Sequence, residues 1–119
     1  MVLIVEDERI SRKALATLLA ASGFHVEAVS SAEEGLRIVR QGHVPNVALV
    51  DLDLPGMDGA EFIQKLHEQA PQVQPILLTA ADRERVATRF KENDSSPALV
   101  RHVHKPVDFQ HLLHVLEET

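Results

Sequence analysis

Residues 46–59 read NVALVDLDLPGMDG, and the fold follows from how that stretch changes character at Asp51. Asn46 to Val50 is an apolar run of the kind found in strands covered on both faces, as parallel sheets are. Asp51 ends the run. Pro55 cannot donate to a sheet ladder, and Gly56 and Gly59 let the backbone turn tightly toward the next helix. Asp58 followed by Glu61 is a helix-capping signature, and it opens a helix with Phe62, Ile63 and Leu66 turned inward. The unit is therefore strand, turn, helix, with a carboxylate at the strand's carboxyl end.

The same unit recurs in both directions. Val2 to Val5 is β-rich, and Arg9 to Ser22 repeats Ile10, Ala14 and Leu18 beside Leu15 and Leu19 at helical spacing, with Gly23 as the stop. His25 to Val29 is a short strand. Ser31 with Glu34 makes a capping box for a helix that runs to about Gln41 and halts at Gly42. Pro75 to Leu78 supplies the fourth strand and Leu99 to Val103 the fifth. Asp108 to Glu117 forms the last helix, with Phe109, Leu112, Leu113 and Leu116 on its buried face. Asp82 to Asn93 is charged almost throughout, with Val86, Ala87 and Phe90 as its apolar anchors. It predicts a short, mobile fourth helix leading into a turn-rich loop from Asn93 to Pro97. Five βα units with right-handed crossovers predict one α/β domain over residues 1–119. Its expected form is a flavodoxin-like, doubly wound five-stranded parallel sheet in the order 2-1-3-4-5, with helices on both faces.

Composition bounds the function. The 119 residues are 45% hydrophobic and 25% charged, enough for one core and too few for two. A net charge of −6 offers no basic face, which argues against nucleic-acid binding by this domain. There is no cysteine for disulfide or thiolate chemistry. The apolar runs are too short to span a bilayer, and Met1 runs straight into a strand with no signal peptide visible, so a cytoplasmic protein without a membrane partner is expected. Without Trp or Tyr, a stacking platform for bases or sugars is not expected. Seven histidines include His102 and His104 on one strand and His111 and His114 on the last helix. No carboxylate pattern completes a transition-metal set around them, so they are read as solvated or interface side chains.

In such a sheet the carboxyl ends of the strands open onto one crevice, where ligands bind. Glu6-Asp7, Asp51, Thr79 and Lys105 all fall at strand ends, in LIVED, VALVD, PILLT and VRHVHK. A carboxylate fixed at Asp51 can attack phosphorus to give an acyl phosphate. Attack by an anion on an anionic group needs neutralisation, for which Mg²⁺, or Mn²⁺ in its place, is suited. Mg²⁺ takes one or two carboxylates with waters and phosphate, which Asp7 and Glu6 beside Asp51 can supply. Lys105 brings a mobile positive charge, Thr79 a hydroxyl donor, and Ala80 is small enough to leave room.

Over essentially its whole length the chain resembles the receiver domain of two-component response regulators, of the chemotaxis-receiver kind. The resemblance rests on VLIVEDE, VALVDLDLPGMDG, ILLTA and HKP. It implies Asp51 as phosphoacceptor, Glu6 and Asp7 as the acidic pair, and the backbone carbonyl of Asp53 as a further metal ligand. It also implies Thr79 as the switch hydroxyl with Ala80 beside it, Lys105 as the phosphate-sensing lysine, and a cis Lys105-Pro106 bond. Asp53 and Ala81 occupy positions that tune dephosphorylation in the family, and Asp53 is expected either to add like charge at the metal site or to face solvent from the turn. His102 stands where the family carries a Tyr or Phe that swings with the switch Thr, and the segment before the fifth strand is longer than usual. Both departures predict an altered output surface.

The function these features predict is a signalling switch. Asp51 takes a phosphoryl group from a sensor histidine kinase, a histidine phosphotransfer protein or a small acyl phosphate. The face of the fourth helix, fifth strand and fifth helix then shifts for output to an effector domain or a second copy. Catalysis would extend only to the chain's own phosphorylation and its reversal. Two rivals are a receiver-like module that is never phosphorylated and a haloacid-dehalogenase-type phosphatase. The latter rests on Asp51-Leu52-Asp53-Leu54 alone, with Asp53 as its acid, and lacks room for a cap domain.

Overall fold

A computed structural model of the chain describes residues 1–93 and 100–119. The strands are β1 (Val2–Val5), β2 (Val26–Val29), β3 (Val47–Asp51), β4 (Gln74–Thr79) and β5 (Arg101–His104). The helices between and after them are α1 (Arg9–Ala21), α2 (Ala32–Arg40), α3 (Gly59–Gln69), α4 (Arg83–Glu92) and α5 (Phe109–Glu117). All strand pairs are parallel, in the order β2-β1-β3-β4-β5. This is the doubly wound arrangement that the alternation of the sequence predicts.

Strand residues alternate between two apolar layers, because successive side chains point to opposite faces. Leu3, Val5, Ala48, Val50 and Leu77 meet Leu36, Phe62, Leu66 and Phe90 beneath α2, α3 and α4. Val2, Ile4, Val47, Leu49, Ile76 and Leu78 meet Leu15, Leu19, Leu112 and Leu116 beneath α1 and α5. Both faces are covered, which is why the central strands read as continuous apolar runs. Register sets the height of the crevice. Val5 pairs with Val50, so Glu6 and Asp51 leave neighbouring strands at one level, and Thr79 pairs with His104 just before Lys105.

The helices start where their caps are. Ser31 Oγ accepts from the Glu34 amide at 3.2 Å, Asp58 Oδ1 from Glu61 at 2.9 Å and Asp82 Oδ1 from Arg85 at 2.8 Å. Each such bond satisfies an amide with no partner inside its helix. The capping box at Ser31 is half-formed, since the Glu34 carboxylate accepts from Ser30 Oγ instead of returning to the cap amide.

Several expectations need correction. Of the α1 repeat, Leu15 and Leu19 face the sheet, whereas Ile10 is 79% and Leu18 45% exposed. Two adjacent apolar stripes run along α1, and period alone does not say which one the sheet takes. In α4, Val86 and Phe90 are buried but Ala87 is exposed, and at ten residues the helix is no shorter than α2 or α5. In α5, Phe109 and Leu113 are half-buried and Val115 joins Leu112 and Leu116 inside. Leu99 and the loop positions Asp94 to Pro97 lie outside the described residues. Among the described residues no helix is long and apolar enough to cross a membrane.

Candidate phosphoryl-acceptor site

Three polar side chains are buried among the described residues, and all three lie at the carboxyl ends of central strands: Glu6, Asp51 and Thr79. Ionised groups are not buried without partners, so their contacts define the site. Lys105 Nζ donates to Asp51 Oδ2 at 3.0 Å and to Glu6 Oε1 at 3.1 Å. Its backbone is set by a bond from the Lys105 amide to the Thr79 carbonyl at 2.9 Å and by a cis Lys105-Pro106 peptide, as the family resemblance implies. The other Asp51 oxygen, Oδ1, accepts from the Asp53 amide at 3.1 Å. Thr79 Oγ1 accepts from the Ala81 amide at 2.9 Å, which leaves its hydroxyl proton for donation. Ala80 is exposed beside it.

The turn after β3 is tight for two different reasons. Gly56 adopts φ +72°, a left-handed conformation that side chains disfavour. Gly59 has no such φ. A Cβ there would collide with the Asp51 carbonyl oxygen and lie 2.8 Å from Leu52 Cα. The Gly59 amide donates to the Leu52 carbonyl at 2.9 Å, so the start of α3 rests directly on the strand that ends at Asp51.

Glu6, Asp7 and Asp51 each offer an oxygen within 4.8 Å of the others. Asp7 is exposed at the mouth and Glu6 lies beneath it. Glu6 Oε2 is buried with no hydrogen-bond partner, a costly state that a cation relieves. An all-carboxylate set with no imidazole or thiolate fits a hard cation such as Mg²⁺ or Mn²⁺. Arg12, which sequence reasoning missed, donates from Nη1 to the carbonyls of Glu6 at 3.0 Å and Asp7 at 3.1 Å. Its only sequence signal was its place one turn into the helix that follows the acidic pair.

The electrostatics follow from burial and crowding. Burial pushes the Glu6 carboxyl up to about 7, and the Asp51 carboxylate beside it adds to the rise while Lys105 opposes it. Burial would raise Asp51 too, but hydrogen bonding to Glu6, Lys105 and the Asp53 amide outweighs it and holds Asp51 below its ordinary value. Lys105 is likewise pulled down by burial and raised further by Asp51 and Glu6, so its net shift is upward. Near neutrality Asp51 is therefore an ionised oxygen nucleophile facing a charged lysine.

Asp53 departs from expectation. Its Oδ1 accepts from Arg85 Nη2 at 2.9 Å and from Arg89 Nη2 at 3.2 Å, so two α4 guanidiniums compensate its charge. Arg89 Nη1 also reaches Asp58 Oδ2 at 3.3 Å. Leu52 and Leu54 point into the core on either side of it. His102 lies exposed on the edge strand β5, opposite Leu77 in register. Of the other histidines, His114 contacts Glu118 at 3.0 Å, and Arg101 contacts the same carboxylate at 2.9 Å. Among the described residues these histidines complete no metal-ligand cluster.

A family model described as the response regulator receiver domain matches residues 2–117. Among curated proteins, a cyclic di-GMP phosphodiesterase of Thermotoga maritima is 38% identical over 76% of this chain and 24% of its own length. The two-component response regulator PhoP of Pseudomonas aeruginosa is 42% identical over 66% of this chain and 34% of its own. The chain thus spans about a quarter of the first relative and about a third of the second. A CheY-like response regulator receiver domain protein from Methanospirillum hungatei superposes with a TM-score of 0.84 at 27% identity, covering 98% of this chain and 90% of that one.

Proposed function

From the premise that the chain belongs to the response regulator receiver domain family of two-component signalling, we propose that residues 1–119 act as a single receiver that takes a phosphoryl group onto Asp51. The observation that carries this reading is Lys105 Nζ held within 3.1 Å of both Asp51 and Glu6 at the end of an otherwise apolar sheet.

In the transfer, an Asp51 carboxylate oxygen attacks phosphorus of a phosphohistidine. The O–P bond forms as the P–N bond breaks, and its electron pair stays on the imidazole, which leaves neutral after protonation. With a small acyl phosphate, the leaving group is the carboxylate. Lys105 stays paired with the carboxylate before attack and then follows the charge to a phosphoryl oxygen. Thr79 turns its free hydroxyl proton to a second oxygen, which withdraws that side chain from its resting place on β4. Glu6, Asp7, Asp51 and the backbone carbonyl of Asp53 would hold Mg²⁺, or Mn²⁺ in its place, whose charge would neutralise the incoming phosphoryl oxygens. Arg12 keeps the Glu6 and Asp7 backbone fixed while this happens. Output to an effector domain or a second copy runs through α4, β5 and α5, with Thr79, Ala80 and His102 at its inner edge.

The donor's approach is favoured by a groove beside the acceptor. Ala14, Leu15 and Leu18 of α1 face Pro106, Val107 and Phe109 across it, and Glu6 and Lys105 close one end. A helix carrying the phosphorylated histidine of a sensor kinase or phosphotransfer protein, in the cytoplasm, is the occupant this shape suits. The haloacid-dehalogenase-type alternative loses ground, because the carboxylate it needs as an acid, Asp53, is engaged by two arginines.

The test is intact mass after incubation with acetyl phosphate and Mg²⁺, for wild type and Asp51→Ala together. Gain of a single phosphoryl group, dependent on Mg²⁺ and absent from the variant, is expected. No adduct on wild type, with no binding of beryllofluoride either, would replace the switch with an unphosphorylated interaction module.

A further inference from the structure

The acceptor loop and α4 are joined by a continuous series of polar contacts. Asp51 Oδ1 accepts from the Asp53 amide at 3.1 Å, and the Asp53 carboxylate accepts from Arg85 at 2.9 Å and Arg89 at 3.2 Å. Arg89 continues to Asp58 at 3.3 Å, whose other oxygen caps α3. These ties matter because α4 has little else. It buries Val86 and Phe90, while α3 next to it buries five residues. We propose that Arg85 and Arg89 are positioning residues that latch α4 to the acceptor loop through Asp53 and Asp58, and that loading Asp51 acts on α4 by loosening this latch.

The physical reason is competition at a single oxygen. Oδ1 anchors the Asp53 amide in the resting site. Once an Asp51 oxygen is esterified to phosphorus that anchor weakens, and the Asp53 backbone, whose carbonyl would be a ligand of the loaded site, is drawn into the crevice and takes its side chain away from α4. Arg85 and Arg89 each give a single nitrogen to the same Asp53 oxygen, so a displacement of that one oxygen lengthens both contacts at once. The side chains of Asp53 and Arg85 are roughly half exposed, at 46% and 53%, so each contact is weak and the latch is easily released. An inner aromatic side chain is therefore not required for coupling, which suits a chain with an exposed His102 on β5.

The proposal rests on Asp51 as the acceptor for its second half only. Amide hydrogen exchange in α4 should be measured on wild type, Asp53→Asn, Arg85→Gln/Arg89→Gln and the combined variant, first without any phosphoryl donor. Exchange within α4 is expected to rise about three- to ten-fold in each variant, more in the arginine variant, which also loses the Asp58 contact, with the combined variant no faster than the arginine variant. The same samples are then treated with Mg²⁺ and beryllofluoride, their binding being scored separately. Wild-type α4 should approach the variants' exchange rate, whereas α4 in the Arg85→Gln/Arg89→Gln variant should change less than two-fold although the mimic binds. Unchanged α4 exchange in Asp53→Asn and in the arginine variant, or additive effects in the combined one, would overturn the latch. A latch confirmed at rest beside wild-type protein that fails to bind the mimic would overturn the acceptor reading instead.

Discussion

Helices α3 and α4 start from adjacent strands at the same crevice, and each is capped by an aspartate three residues before its first bonded amide. They are held by opposite means. α3 buries Gly59, Ala60, Phe62, Ile63 and Leu66, and its first residue sits against the Asp51–Leu52 backbone without an intervening side chain. α4 sinks Val86 and Phe90 and is fastened for the rest by arginines to loop carboxylates. Apolar packing is indifferent to a change of charge nearby, whereas an ionic fastening answers to it. A change of charge at Asp51, as phosphorylation would bring, is therefore expected to move one helix and leave the other in place.

The widest gap between the two should appear on cutting the packing. Phe62→Ala removes a fully buried ring, and a loss of about 3–5 kcal/mol in urea unfolding is expected, equal at low and high salt. A loss that shrank strongly with salt would erase the distinction. Next in size is the charged floor of the crevice. Glu6 in the folded chain stands at about 7 against an ordinary 4.5, so the folded state keeps a proton that the unfolded state releases between those values. Its contribution to stability is present below pH 4.5 and is lost as pH rises through 7. Without added metal, Glu6→Gln should abolish that decline and exceed wild type by on the order of 3 kcal/mol at pH 8. Parallel pH profiles for the two proteins would contradict the burial argument. The smallest effect separates the helices most finely. Raising NaCl from about 0.01 to 1 M shortens the screening length from roughly 30 to 3 Å, and α4 amides should exchange about two- to five-fold faster while α3 amides do not respond.

The architecture was legible because its signals are local. Apolar runs ending at Val5, Val50 and Leu78, and capping residues at Ser31 and Asp58, mark elements from their own neighbours. The cluster of Glu6, Asp7, Asp51, Thr79 and Lys105 was legible because a parallel sheet sends every strand's end to one edge. The Asp53 pairing was not. Arg85 and Arg89 lie 32 and 36 positions away, and a run of charge on a helix looks the same whether it is solvated or paired. Ile10 and Leu18 misled for a related reason, since helical spacing gives a face but not the surface that face meets. Arg12 escaped because its partners are backbone carbonyls, which no side-chain pattern announces.

Gly59 gives the loop from Asp51 its mechanical character. One end is continuous with a central strand, and the other is clasped to the Leu52 carbonyl with no atom to spare. A ring closed that firmly on one side has a single compliant wall. If Asp51 is phosphorylated as proposed, the added bulk meets a closed wall at Gly59 and a yielding one at Asp53, so a missing methyl group on one side would set the direction of movement on the other.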